Sequence, residues 1–114
     1  MSMISTHVLD MIRGRPAANV EVRLEFLDET GWSFVSAQRT SEEGRVADLL
    51  GTSATIRPGQ FRLIFQSEAY FRCYGQECLF PEVTVCFRIV NPEEHYHVPL
   101  LLGPHSYSVY RGAQ

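Results

Sequence analysis

Apolar and polar residues alternate along most of this chain. In Val20-Glu21-Val22-Arg23-Leu24-Glu25-Phe26 the apolar residues take every second position and charged residues fill the gaps. Extended backbone sends such neighbours to opposite faces, so the pattern predicts a half-buried strand. Phe61, Leu63 and Phe65 repeat the pattern after Pro58-Gly59, and Val83, Val85, Phe87 and Ile89 repeat it after Pro81. Further strands are predicted over residues 6–10, 32–38, 96–102 and 107–111, with a short one around Val46. Turn signals separate them, among them Arg13-Gly14-Arg15-Pro16, Asp28-Glu29-Thr30-Gly31, Glu42-Glu43-Gly44 and Gly103-Pro104. Only residues 68–76 read as a helix, because Glu68-Ala69-Tyr70-Phe71-Arg72 has the propensity for two turns and Gly75 would end it. About eight short strands at this spacing, with one short helix, predict an all-β, two-sheet sandwich.

Composition narrows the classes. A length of 114 residues suits one domain over 1–114, and 45% apolar with 20% charged residues is the balance of a folded soluble protein. The formal charge of −3, without a clustered basic stripe, argues against nucleic acid or an anionic membrane as partner. All ten basic residues are arginine, so lysine-based covalent chemistry is excluded. Cys73, Cys78 and Cys86 are odd in number, lack a CxxC spacing and sit in apolar surroundings. They are expected to be buried free thiols in a reducing compartment. The opening MSMISTHVLD has no basic and apolar leader pattern, and no apolar run approaches the ~20 residues of a spanning helix. A cytoplasmic protein without a cleaved leader is therefore expected.

Four histidines are the chemically interesting side chains. His95 and His97 are two apart, so on a strand their rings share a face about 7 Å apart. Tyr96, Val98, Leu100 and Leu102 then form the core side. His7 lies on a strand of its own. Hydrogen-bonded or exposed histidines are the plain reading; three imidazoles and a water would instead make an open zinc site from His7, His95 and His97. No acidic orienting partner stands out. A serine nucleophile is weaker, since no GxSxG elbow occurs. Arg45 follows Gly44 in a turn, a place from which a guanidinium can present its fork of donors to a flat anionic ligand or simply face solvent. Tyr110 and Arg111 carry the same ambiguity.

Several strings taken together go further. Ser5-Thr6-His7-Val8-Leu9-Asp10, Gly14-Arg15-Pro16-Ala17, Glu43-Gly44-Arg45, His95-Tyr96-His97-Val98-Pro99-Leu100-Leu101 and Ser106-Tyr107-Ser108-Val109-Tyr110-Arg111-Gly112 occur in that order. From end to end the chain resembles the 5-hydroxyisourate hydrolases, the transthyretin-like proteins of urate (purine) degradation. The resemblance implies an eight-stranded Greek-key sandwich with one short helix, assembled as a homotetramer that is a dimer of dimers, with active sites in the channel between dimers. It implies catalytic roles for His7, Arg45 and His97, and substrate contacts from His7, Arg45, Tyr110, Arg111 and Gly112. The family's closing serine is replaced by Ala113, and Gln114 follows.

The reaction so implied is hydrolytic opening of 5-hydroxyisourate at its N1–C6 amide bond, giving 2-oxo-4-hydroxy-4-carboxy-5-ureidoimidazoline, with no metal or organic cofactor. An imidazole with a pKa near neutrality can take a proton from the attacking water and return one to the leaving nitrogen. A guanidinium can hold the ring edge and stabilise charge on the carbonyl oxygen. The alternative is a non-enzymatic small-molecule binding protein, since the same scaffold carries thyroid hormone in vertebrate transthyretin. His7, Arg45 and His97 favour the hydrolase, because burying them in an apolar channel would cost desolvation energy.

Overall fold

The alternation becomes two sheets in the computed structural model, which describes residues 3–51 and 56–113. In chain order the elements are β1 (Ile4–Asp10), β2 (Arg15–Pro16), β3 (Glu21–Asp28), β4 (Gly31–Arg39), β5 (Arg45–Val46), β6 (Gly59–Phe65), α1 (Ser67–Arg72), β7 (Val83–Ile89), β8 (Tyr96–Leu102) and β9 (Tyr107–Val109). One sheet runs β2-β1-β8-β9, with β5 also paired to β1, and the other runs β4-β3-β6-β7. The named strands pair antiparallel except β1 with β8, which lie parallel. The extra pieces relative to the sequence reading are small: Arg15–Pro16, read as part of a turn, pairs with Asp10 and Leu9 as β2.

Both sheets turn their apolar parity inward. Ile4 and Val8 of β1, Val22 and Leu24 of β3, Phe61, Leu63 and Phe65 of β6, and Tyr96, Val98, Leu100 and Leu102 of β8 are buried in one cluster. Each such side chain contributes about 1.5–3 kcal/mol by leaving water. Helix α1 covers one part of this core with Tyr70 and Phe71. Its regular part is shorter than the expected 68–76, but the glycine stop is where the sequence placed it. Gly75, at φ +69°, donates its N–H to the Arg72 carbonyl (3.0 Å), and Gln76 donates to Phe71 (3.0 Å), the crossed pair that closes a helix on a left-handed residue.

The expected burial of all three thiols is corrected. Cys73 and Cys86 are exposed and Cys78 only half-buried, all three free. Parity explains Cys86, which shares the outward positions of β7 with Thr84 and Arg88 while Val83 and Ile89 point inward. Cys73 follows the helix residues that face the core, and it looks outward.

Two polar residues of β1 share the inward parity and are satisfied there. Thr6 donates to the Val98 carbonyl (2.6 Å). Asp10 accepts from the Tyr70 hydroxyl (2.6 Å), Arg13 Nη1 (2.9 Å) and the backbone N–H groups of Ile12 (2.8 Å) and Arg13 (3.0 Å). Burial alone would raise the Asp10 carboxyl pKa, but these donors outweigh it and hold it below the usual carboxylate value. The end of β1 is thereby tied to α1. Tyr70→Phe removes one donor from a buried carboxylate and should cost about 1–3 kcal/mol in urea unfolding. Because the folded pKa is depressed, the stabilisation is complete above the unfolded value of about 4 and is lost as pH falls through the folded one. The deficit of Tyr70→Phe should therefore be largest near neutrality and shrink in acid; a deficit that grows in acid would contradict the assignment.

Candidate active site

Strand pairing decides which polar side chains meet. The parallel register sets Ser5 opposite His97 and His7 opposite Pro99, and the antiparallel pairing of β1 with β5 sets His7 opposite Arg45. Thr6, Val8, Val46, Val98 and Leu100 occupy the inward parity and are buried. Ser5, His7, Arg45, His97 and Pro99 consequently share the outer face of the sheet. Segments about 90 residues apart in sequence are brought side by side.

Arg45 is aimed by the turn before it. Gly44 donates to the Ser41 carbonyl (2.9 Å), Ser41 donates its backbone N–H to the Arg45 carbonyl (2.9 Å), and the Ser41 hydroxyl accepts from Arg45 N–H (3.2 Å). Gly44 sits at φ +78°, and a Cβ there would fall 2.4 Å from the Val8 carbonyl oxygen. Only glycine lets the turn press against β1 and deliver Arg45 opposite His7.

His97 is held from two sides. Gly112 donates its N–H to the His97 carbonyl (2.8 Å), and its bare α-carbon lies against the ring, where a Cβ would meet Cδ2 at 2.6 Å. On the other side Ser5, only 7% exposed, places Oγ 2.8 Å from His97 Nδ1 and 2.8 Å from His95 Nε2. Sequence reasoning passed over Ser5 while looking for an acidic partner. The available signal was that Ser5 and His7 share a parity on one strand. Burial foremost, then the positive potential of His95, Arg45 and His7, lowers the His97 pKa below the ordinary histidine value. The shift favours the neutral ring, the form that can accept a proton.

The remaining candidates come from the C-terminal segment. Arg111 donates through Nη2 to Glu94 (2.9 Å) and to the His95 carbonyl (3.1 Å), and its guanidinium stacks 4.4 Å from the Tyr96 ring centre. It grips the segment entering β8. Tyr110 is 54% exposed and lines an open groove of about 260 Å³ with Val85, Phe87, Tyr96 and Val98. Ala113 is exposed beside a shallow hollow bounded by Glu94, His95, Arg111 and Gly112. Gln114 lies outside the described residues, and His105 stands exposed after β8. Among the described residues no three His, Cys, Asp or Glu side chains gather as metal ligands. Of the zinc set read from the sequence, His95 and His97 each direct one ring nitrogen to the Ser5 hydroxyl.

The model of the HIUase/Transthyretin family matches residues 4–112, which include the whole of this constellation. The chain belongs to that family. It is 41% identical to the 5-hydroxyisourate hydrolase of Salmonella typhimurium over 98% of this chain and 82% of that one. Among solved structures, the 5-hydroxyisourate hydrolase of Klebsiella pneumoniae is 34% identical with a TM-score of 0.84, covering 99% of this chain and 100% of that one. Sea bream transthyretin in complex with thyroxine is 26% identical with a TM-score of 0.89, covering 97% and 95%. Backbone shape thus groups this HIUase/Transthyretin family member with both kinds of relative, and only side chains separate them.

An NMR titration of the imidazole rings should give His97 a midpoint below the ordinary value of about 6.5. Arg45→Ala removes a positive neighbour and should move that midpoint upward. A midpoint unmoved by the substitution would show that Arg45 does not face the ring.

Proposed function

We propose that His7, Arg45 and His97 carry out the hydrolysis of 5-hydroxyisourate in urate degradation, opening its N1–C6 amide bond by attack of water. The activity is that of the curated relatives, 41% identical over nearly the whole chain. The observation that carries the residue assignment is the convergence of these three side chains on one outward sheet face, His7 directly opposite Arg45 and His97 one pleat away. His97, kept neutral by its surroundings, takes a proton from water through Nε2, and His7 lies on the same face to orient the water or substrate. Arg45, exposed and aimed by its glycine turn, offers paired donors to the oxygen and nitrogen edge of the flat ring and stabilises negative charge on the carbonyl oxygen. No step here calls for a metal or cofactor.

Of the other expected substrate contacts, Gly112 enters as the backbone that walls the His97 ring, and Arg111 through the segment it grips. Tyr110 supplies an exposed ring near the same chain end. We read the outer face as enclosed by a second pair of subunits, in a homotetramer that is a dimer of dimers. In support, β7 and β9 both end their sheets unpaired within the subunit. A cytoplasmic location is supported by three free thiols, two of them exposed, and a single functional domain by one core shared between both sheets. No helix among the described residues is long and apolar enough to cross a membrane. A carrier of transthyretin type would have to desolvate the same three polar groups without using them.

Adding the protein to a urate oxidase reaction should speed the loss of 5-hydroxyisourate absorbance beyond its spontaneous rate. His97→Ala and Arg45→Ala should each lower kcat/KM by about a hundredfold or more while leaving the urea midpoint near wild type. Wild-type rates in both variants would remove these residues from the mechanism.

A further inference from the structure

The hydroxyl of Ser5 lies 2.8 Å from a ring nitrogen of His97 and 2.8 Å from one of His95. One hydroxyl has one proton. It can donate to one ring and must then accept an N–H from the other, so the protonation patterns of the two rings are coupled. In the first arrangement His97 Nδ1–H donates to Ser5, Ser5 donates to His95 Nε2, and His97 Nε2 is bare, as a base requires. In the second, His95 Nε2–H donates to Ser5, Ser5 donates to His97 Nδ1, and His97 Nε2 carries a proton, as an acid requires.

The geometry points to Ser5 and His95 as a proton relay that converts His97 from base to acid within one turnover, an inference that rests on the function proposed above. As water attacks the C6 carbonyl, its proton passes to His97 Nε2. The Nδ1 proton then moves to Ser5 Oγ, and the Ser5 hydroxyl proton moves to His95 Nε2. His97 is left neutral with a proton on Nε2, and His95 carries the positive charge. When the N1–C6 bond breaks, N1 takes the proton from His97 Nε2, and His95 returns its proton through Ser5 to Nδ1. One water is added, its oxygen and one proton ending in the new carboxyl group and its other proton on N1.

The surrounding charges explain why such a relay helps. Arg45 and His7 face His97 from β5 and β1, and their potential opposes an imidazolium there. His95 lies just before β8 and meets His97 through the Ser5 hydroxyl. On that side the charged neighbours are Glu94 and Arg111, which pair with each other at 2.9 Å, and Arg111 holds the His95 carbonyl at 3.1 Å. Moving the proton to His95 therefore moves the positive charge away from Arg45. His95 is half-buried rather than enclosed, so its outer nitrogen can exchange with water. Both Ser5 and His95 act through His97 and are positioning residues.

The decisive variant is His95→Gln, whose amide can still hydrogen-bond Ser5 but cannot take up a proton. Its kcat should fall by about tenfold or more with KM little changed, its kcat–pH profile should change shape, and imidazole in the buffer should restore part of the rate. Ser5→Ala should show the same kinetic loss, and ¹⁵N shifts of His97 should reveal a mixed tautomer where the wild type has a single preference. Should Ser5→Ala fail to fold, His95→Gln, at a half-exposed position, decides alone. An active wild type together with a His95→Gln variant of wild-type kcat and pH profile would overturn the relay and leave the hydrolase standing. A wild type that does not accelerate the decay would remove the hydrolase itself, and the relay with it.

Discussion

The parallel pairing of β1 with β8 is the constraint on which the rest depends. Seven successive residue pairs, Ile4 with Tyr96 through Asp10 with Leu102, set the register. A slip of β8 by one residue would turn Val98 and Leu100 outward and bury His97. The register is therefore enforced by the inward apolar side chains and by the Thr6 hydroxyl bonded to the Val98 carbonyl. What the core fixes on one face, the site inherits on the other.

Backbone economy then completes the arrangement. Glycine is needed at Gly44, where left-handed backbone presses against the Val8 carbonyl, and at Gly112, where no side chain fits beside the His97 ring. The first delivers a guanidinium opposite one imidazole and the second confines the other. Partial burial first, then the potential of His95 and of that guanidinium, lowers the His97 pKa.

The scaffold itself does not select the chemistry. Its backbone superposes on a transthyretin with a TM-score of 0.89 and on a hydrolase with 0.84, while identity is higher to the hydrolase, 34% against 26%. Function on such a fold is a property of a few outward side chains. The outward side chains that converge here are His7, His97, Ser5 and Arg45. The Ser5 hydroxyl adds a link between two imidazoles.

Period-two alternation, turn residues and Gly75 were enough to read the strands, the helix stop and the sandwich from the sequence, because each depends on neighbours within a few positions. Recurring strings around His7, Arg45 and His97 identified the candidate site by resemblance. Other features were not legible, since they depend on contacts between distant segments. The outward parity of Cys86 belonged to a strand already predicted, yet its exposure is decided by which face meets the second sheet. The pairing of Arg111 with Glu94 and the His95 carbonyl joins segments 16 to 17 residues apart. Ser5 comes to lie between two rings only through the parallel register. Local patterning specifies elements and faces, but only packing sets a register, and a site built across strands exists only once that register is chosen.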